Sequence, residues 1–187
     1  MLSKLKLLTA IAGLAIALSG CSSVVSEKTP VTAELPERVR LSGYQAGLKA
    51  NDIANLKTEF KAIGTVVEIA PERHFTAADA VTQKQQGGAV YYTPLRVNLD
   101  KATAGLPGEV WISVLSDYDP KTDISGVKVG DQLLMTLDGP FTRSDGLTTY
   151  SFWYLGLVDS ANGTIQSLNA LDESPIDLAY LLSAFKL

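Results

Sequence analysis

Between residues 63 and 168 the chain alternates apolar and polar side chains in a series of short segments, and this period of two constrains its fold more than any other feature. Such segments are rich in β-branched and aromatic residues, and Gly, Pro, Asn or Asp separates them, as is typical of strands joined by turns. Six strands are predicted, at Ile63–Ile69, Ala89–Leu99, Glu109–Leu115, Gln132–Leu137, Tyr150–Val158 and Thr164–Leu168. Asn162-Gly163 predicts a tight hairpin turn before the last of them.

Two helices are predicted to flank the strands. The first spans about Leu41 to Lys61, with Ser42 as its cap. Apolar side chains then share one helical face at Ile53, Leu56 and Phe60. The second begins where Ser174 caps the helix, Pro175 takes the first position and Asp177 completes a Ser-x-x-Asp capping box. The long polar segment Ala70–Gly88 between the first two strands has a composition that favours disorder.

The predicted fold class is therefore mainly β (α+β): a small antiparallel five- to six-stranded β-barrel flanked by an N-terminal and a C-terminal helix. The order of segments from about Lys57 to Leu168 resembles the OB-like barrels of uncharacterised secreted bacterial domains. A helix leads into Ile-Gly-Thr-Val-Val-Glu-Ile, a long loop and two strands follow, and Val-Gly-Asp-Gln-Leu-Leu-Met precedes an aromatic strand. The resemblance implies a fold and carries no catalytic motif.

The N-terminus has the layout of a secretory signal peptide. Lys4 and Lys6 precede an apolar run from Leu7 to Leu18, and small residues lead into Cys21. A membrane-spanning helix needs roughly 20 apolar residues, so this run is too short to be one. We expect residues 1–20 to be removed, residues 21–40 to form a flexible tether, and residues 41–187 to form a single globular domain.

The sequence Leu18-Ser19-Gly20-Cys21 resembles the lipobox of bacterial lipoproteins. The resemblance implies that Cys21 carries a thioether-linked diacylglycerol and further acyl chains such as palmitate, which would anchor the protein to the extracytoplasmic side of the cell membrane. Ser22 stands where an aspartate usually signals retention in the inner membrane, so the outer membrane is implied if the host is Gram-negative.

Composition excludes several functional classes. The chain has a formal net charge of −4 and a single cysteine. With Cys21 acylated, no thiol remains for a disulfide, a nucleophile or a metal site. Phosphate binding needs clustered Lys and Arg, which the chain lacks, so nucleic acid is not expected as a partner. No cofactor is predicted.

No catalytic residue is assigned from the sequence. The sole histidine, His74, has neither a recognisable nucleophile nor an orienting acid near it in the chain. Paired carboxylates are the remaining route to an enzyme, since two of them suffice for glycoside cleavage at the right separation. The candidates are Glu68, Glu72, Asp117 and Asp131.

Two other groups of residues are candidate binding sites. Asp117, Asp119 and Asp123 offer three carboxylates within a short segment and predict a calcium site, with a solvated turn as the simpler interpretation. The aromatic strand supplies candidate ligand-binding residues at Tyr150, Phe152, Trp153 and Tyr154. In a regular strand Trp153 points opposite to the other three, and one of the two faces is either exposed to ligand or covered by the terminal helices.

These features favour a membrane-anchored extracytoplasmic lipoprotein that acts as a non-enzymatic binding or protein-interaction module. Its expected partners are the membrane, through the N-terminal lipid, and an envelope protein or a small ligand. The alternative is a carboxylate-dependent extracytoplasmic hydrolase acting on envelope glycans.

Overall fold

A computed structural model describes residues 35–38, 41–42, 48–76, 88–119, 122–169 and 175–187. Leu35–Leu187 forms one compact unit, which begins slightly earlier than the predicted domain. Cys21, the signal segment and most of the predicted tether lie outside the described residues. The elements are, in chain order, β1 (Leu41–Ser42), α1 (Ala50–Ala54), β2 (Phe60–Ile69), β3 (Arg73–Thr76), β4 (Ala89–Ala102), β5 (Glu109–Leu115), β6 (Tyr118–Asp119), β7 (Gln132–Thr142), β8 (Thr148–Asp159), β9 (Thr164–Ser167), β10 (Ile176–Asp177) and α2 (Leu178–Phe185).

Five strands form a ring of hydrogen-bonded neighbours in the order β2, β4, β5, β8, β7 and back to β2. Four of the five seams are antiparallel. The fifth joins β5 to β8 in parallel and pairs Ile112 with Tyr150. Strands β9 and β10 continue the sheet beyond β8. The predicted fold class, mainly β with mostly antiparallel strands and a helix towards each end, is confirmed.

The connectivity within the ring is a Greek key. Strands β2, β4 and β5 follow one another as an antiparallel meander, and the chain then returns through residues 116–131 to place β7 beside β2. This spatial order, with the fourth strand next to the first, defines the motif. The remaining strand, β8, closes the ring between β7 and β5.

One edge of β4 pairs with two different strands. Its first half pairs with β3, where Arg73 lies opposite Tyr92, and its second half pairs with β2, where Ile69 lies opposite Leu95. Pro94 falls at the gap between them, and its carbonyl accepts a hydrogen bond from the Ala70 N–H at 3.0 Å. Its missing N–H therefore faces the break, so β4 accommodates a proline without losing a ladder bond. Since β3 lies within 70–88, part of that segment is a strand and not the predicted loop, while residues 77–87 lie outside the described residues.

Buried side chains of the ring strands contribute to two large clusters and to a small third one, which joins Phe75 of β3 to Val90 and Tyr92 of β4. The inner cluster combines Val127, from the loop before β7, with buried side chains from all five ring strands: Ala62, Val66, Leu95, Val97, Val110, Ile112, Val114, Leu133, Met135, Leu137, Tyr150 and Leu155. The outer cluster joins the other face of the sheet to the helices: Ile53, Ile63, Leu134, Tyr154, Ile165, Ile176, Leu181 and Phe185. Burial on both faces explains why these strands are so rich in apolar residues.

The first helix is much shorter than predicted. Of the described residues in the predicted range, 41–42 and 48–61, only Ala50–Ala54 is helical, and Leu41–Ser42 is a strand. The side-chain amide of Asn55 donates to the Asn51 carbonyl at 2.7 Å, a local bond that competes with helix continuation. Phe60 belongs to β2 and packs against the inner cluster. The helical spacing of Ile53, Leu56 and Phe60 therefore combined residues of a helix with a residue of a strand.

The C-terminal helix forms at the predicted place with a different cap. Asp177 is its N-cap, and its Oδ1 accepts the Tyr180 N–H at 2.6 Å. Leu181 and Phe185 are buried in the outer cluster. The predicted cap Ser174 lies outside the described residues. A cap of this kind stabilises a helix by about 1 kcal/mol.

Candidate functional site

The side chains of the four aromatic candidates on β8 do not follow the predicted regular alternation. Thr136 of β7 pairs with Tyr154 and Leu137 pairs with Phe152, which leaves Trp153 as the extra residue of a β-bulge. The bulge changes the alternation of the strand. Tyr150 and Phe152 accordingly pack in the inner cluster, whereas Tyr154 is buried in the outer cluster. The expectation that these three side chains point one way is therefore wrong.

Trp153 is exposed and yet fixed in orientation. Its side chain is 60% exposed, and its indole Nε1 donates a hydrogen bond to Oδ2 of Asp138 at 2.5 Å. The other oxygen of Asp138 accepts the Glu59 N–H at 2.8 Å. A carboxylate bound on both oxygens has little rotamer freedom, and it holds the indole through a charge-assisted bond.

The bulge itself is held by a buried amide. Asn169 is 5% exposed, its Oδ1 accepts the Leu155 N–H at 2.8 Å, and its Nδ2 donates to the Trp153 carbonyl at 2.9 Å. These two backbone groups flank the bulge and lie between the residues of β8 that pair with β5 and those that pair with β9, and the amide satisfies both. Sequence reasoning did not single out Asn169, because its role depends on a bulge that no local pattern predicts.

The outer side of the β7–β8 hairpin carries Asp138, Phe141, Arg143, Ser151 and Trp153, which we call the hairpin face. Phe141 is 39% exposed. The guanidinium of Arg143 lies 5.3 Å from the Phe141 ring centroid and donates to Oγ of Ser151 at 3.1 Å. The face thus combines two exposed aromatic rings with polar groups that already have partners, an arrangement that can bind a ligand without leaving charges unpaired.

The remaining aromatic candidates are covered. Burial raises the pKa of Tyr154 to about 12, while a hydrogen bond with Ser167 partly opposes this rise. Leu181 and Phe185 of α2 pack in the same cluster as Tyr154. Coverage by a terminal helix, one of the two interpretations of the aromatic strand, therefore applies to Tyr154, and exposure applies to Trp153.

A second feature is an open cleft of about 350 Å³ at the ends of β4 and β5. Its walls are Arg38, Glu72, Thr93, Val114, Leu115, Ser116, Asp117, Thr122 and Ile124. Arg38 forms ion pairs with Glu72 and with Asp117, the latter at 2.9 Å. The hydrogen bond to Glu72, and to a smaller extent that to Asp117, raises the pKa of Arg38, so its side chain stays charged.

The cleft brings together two of the four carboxylates proposed for catalysis. Glu72 and Asp117 are both bound to the same guanidinium. Glu68 is instead paired with Arg96 at 2.9 Å, and Asp131 accepts the Lys128 N–H at 2.8 Å. Of the four proposed carboxylates, Glu72 and Asp117 therefore remain as the pair that could serve the hydrolase alternative.

The three aspartates proposed to bind calcium have separate partners where they are described. Asp117 is bound to Arg38, and Oδ1 of Asp123 accepts the Ser125 N–H at 2.9 Å, as in an Asx turn. The side chain of Asp119 lies outside the described residues. Within the described ranges no group of three His, Cys, Asp or Glu residues could hold a metal ion. The calcium site stays a prediction.

The histidine lies beside the cleft. His74 is exposed on β3, and its ring centroid is 5.2 Å from that of Tyr91. Tyr91 is 4% exposed, and the guanidinium carbon of Arg38 lies 3.8 Å from its ring centroid. The Tyr91 hydroxyl donates to the Pro36 carbonyl at 2.9 Å. Tyr91 is therefore a shared surface for the segment that precedes β1 and for β3.

A polar cluster that sequence reasoning missed joins β3 to the β7–β8 turn. Oδ2 of Asp145 accepts the Tyr92 hydroxyl and the Arg73 Nε–H, both at 2.7 Å. Burial alone would raise the pKa of Asp145, but hydrogen bonds from Tyr92, the Leu147 N–H and Arg73 outweigh it and lower that pKa. Burial and the bond to Asp145 raise the pKa of Tyr92 above its ordinary value. Phe75 packs against the Tyr92 ring, with centroids 5.5 Å apart.

Comparison with known proteins yields no relative. No family model, curated protein or solved structure matches the chain significantly. In the described part of the chain, no helix has the length and apolar character needed to cross a membrane.

Proposed function

We propose that this chain is a bacterial lipoprotein, anchored through acylated Cys21 on the extracytoplasmic side of the membrane, whose domain is a non-enzymatic binding module. The observation that carries the binding role is the exposed Trp153, held at a bulge by Asp138. An exposed large aromatic ring with a fixed orientation contributes contact area at low entropic cost, which is typical of binding surfaces. The leader and the Leu-Ser-Gly-Cys sequence support the lipid anchor.

We further propose that the five-stranded ring is an OB-like barrel. Its Greek-key order and its five strands support this assignment, because OB folds are five-stranded, partly open Greek-key barrels that bind sugars and oligonucleotides on one face. The acidic net charge favours a glycan or an envelope protein as the ligand over nucleic acid.

The anchor is tested by replacing Cys21 with Ala in the native host. Loss of acylation should move the protein from the membrane fraction to the soluble fraction. Retention of the Cys21→Ala protein in membranes at the wild-type level would contradict the lipid anchor.

The binding role is tested by placing a photo-crosslinking amino acid at Trp153 and, as a matched control, at Tyr180. Both side chains are exposed aromatics, 60% and 44% exposed, but Tyr180 lies on α2. A partner or glycan crosslinked in cells from position 153 and not from position 180 supports the hairpin face as the binding surface. Equal products from both positions would contradict it.

The second candidate is the carboxylate-dependent hydrolase of envelope glycans, favoured by the meeting of Glu72 and Asp117 in one cleft. Purified protein is incubated with peptidoglycan and released sugar ends are measured. Activity that Glu72→Gln abolishes, and that Glu68→Gln leaves intact, would support this function over simple binding.

A further inference from the structure

Residues 35–38, the described part of the segment before β1, contact the rest of the domain through a β-bridge between Arg38 and Ala89 and through two backbone carbonyls. The Glu37 carbonyl accepts the Ala89 N–H at 2.8 Å, and the Pro36 carbonyl accepts the Tyr91 hydroxyl at 2.9 Å. Leu35 is 76% exposed and contributes little apolar burial. The side chain of Arg38 adds the ion pairs with Glu72 and Asp117 to these backbone contacts.

The surroundings of Arg38 are those of a guanidinium receptor. Both terminal nitrogens of its planar head donate to Glu72, and one of them, Nη1, also donates to Asp117 at 2.9 Å; the Tyr91 ring centroid lies 3.8 Å from its guanidinium carbon. Two carboxylates and an aromatic face match the charge, the fork of donors and the flat surface of arginine better than those of lysine. The three groups come from β4, from the residue before β3 and from the turn after β5, whereas the arginine comes from the segment before β1, where it forms a parallel β-bridge with Ala89 of β4.

All three members of this ion-pair cluster are partly exposed to solvent. The side chains of Arg38, Glu72 and Asp117 are 48%, 37% and 26% exposed. Exposed ion pairs of this kind are weak because water competes with each partner. The cleft beside them, about 350 Å³, offers room for a second chain to approach.

We infer that Tyr91, Glu72 and Asp117 form a binding site for an arginine side chain of a partner peptide, which Arg38 fills in cis until it is displaced. The site is separate from the hairpin face and does not depend on the function proposed for that face. A tethered side chain competes at an effective concentration of roughly millimolar, so removal of Arg38 should strengthen binding of an external arginine by about fivefold or more.

Arg96 supplies the matched control. It also lies between two acids, with Glu68 at 2.9 Å and Glu109 at 3.5 Å, and over an aromatic ring, Trp111 at 5.7 Å. Unlike Arg38, it belongs to a central strand of the sheet and does not line the cleft. Arg96→Ala thus creates a similar acidic pair without an adjoining cleft.

The experiment titrates acetyl-Gly-Arg-Gly-amide into wild type, Arg38→Ala and Arg96→Ala proteins, with the Lys analogue as a control peptide. NMR signals of the rings of Tyr91 and His74, which lie 5.2 Å apart, report occupancy. We expect Arg38→Ala to bind the Arg peptide at least fivefold more tightly than wild type does, to discriminate against the Lys peptide, and to lose binding when Glu72→Gln and Asp117→Asn are added. A second titration uses arginine amide in place of the Arg peptide. If it binds with the same affinity as the Arg peptide, the site recognises the arginine alone, and if it binds more weakly, the peptide backbone contributes.

Equal affinity in wild type and Arg38→Ala, or an equal gain in Arg96→Ala, would overturn the inference. Should Arg38→Ala fail to fold, the wild-type protein still decides. A saturable shift of the Tyr91 signals by excess Arg peptide, absent in the Glu72→Gln/Asp117→Asn protein, supports displacement of Arg38, and no shift overturns it.

Discussion

The indole of Trp153 is bound to the carboxylate of Asp138 across the β7–β8 seam, at 2.5 Å, while more than half of the ring stays in solvent. The same carboxylate accepts the Glu59 N–H from the segment that leads into β2. One aspartate therefore fixes both an exposed aromatic ring and the entrance to the first strand of the ring-shaped sheet.

Replacing Asp138 by Ala should release Trp153. We expect faster local motion of the indole, seen as lower fluorescence anisotropy in a Trp111→Phe background, and a loss of about 1 kcal/mol of folding free energy from the two missing hydrogen bonds. Asp100→Ala is the control, since Asp100 accepts from Thr65 and Gln132 and not from a tryptophan. Unchanged anisotropy in Asp138→Ala would contradict the role given to this carboxylate.

Asn169→Ala should be among the most destabilising polar substitutions. It leaves the Leu155 N–H and the Trp153 carbonyl without their buried partner, and each unsatisfied group costs about 1 to 3 kcal/mol. Urea unfolding measures the loss. The exposed Asn98 serves as a control, and a cost of Asn169→Ala no larger than that of Asn98→Ala would be inconsistent with a bulge held by this amide.

Gly64→Ala tests the close approach of β2 to β4. A Cβ at position 64 would lie 2.5 Å from the Asn98 carbonyl oxygen and 3.0 Å from the Leu99 Cα, both backbone atoms that cannot move aside alone. We expect a loss of roughly 2 kcal/mol or more, as for overpacking in a core. Gly108→Ala, where nothing lies within 4 Å, should be close to neutral. A thermal melt compares the two, and equal melting temperatures would argue against this strand spacing.

The stability of the domain should fall in acid partly through Asp145. Because its pKa is lowered in the folded state, this group stabilises the fold above the pKa of about 3.9 that it has when unfolded, and the contribution disappears as pH falls through the folded value. Unfolding free energies of wild type and Asp145→Asn, measured from about pH 7 downwards, should differ most near neutrality and converge in acid. Parallel curves over the whole range would refute this linkage.

The raised pKa of Tyr92 should affect the stability of the domain at alkaline pH. The neutral phenol is favoured by burial and by its bond to Asp145, so this contribution is present below the unfolded pKa of about 10 and is lost as pH rises towards the folded value. Tyr92→Phe should therefore lower stability near neutrality and flatten its decline in alkali, as measured by urea unfolding. If the unfolding free energy of Tyr92→Phe falls as steeply in alkali as that of wild type, the role given to the Tyr92 hydroxyl is wrong.

Strand positions were predictable because they depend on local alternation. Glu109–Leu115 is a strand with the predicted bounds, and the hairpin at Asn162-Gly163 forms, its turn held by the Asp159 carboxylate. The first helix was not predictable from its apolar spacing, since Phe60 pairs with Leu137 of a distant strand. That contact outweighs the weak local preference of the preceding residues for a helix.

The candidate sites depend even more on long-range contacts. Trp153 could be named from its residue type, but the bulge beside it, which turns Tyr154 to the other face of the sheet, has no signal in the local sequence. Arg38 was assigned to a tether, and only the fold shows it between Glu72 and Asp117, which lie 34 and 79 residues further along the chain. Local sequence carries no signal for partners this far apart.

The parallel pairing of Ile112 with Tyr150 within the ring also has a consequence for local opening of the fold. This seam holds one registered pair of residues, whereas seven registered pairs join β2 to β4. Local opening needs least free energy where few backbone hydrogen bonds and side-chain contacts must break. In native-state hydrogen exchange, amides along the β5–β8 junction should therefore exchange before those of the β2–β4 seam.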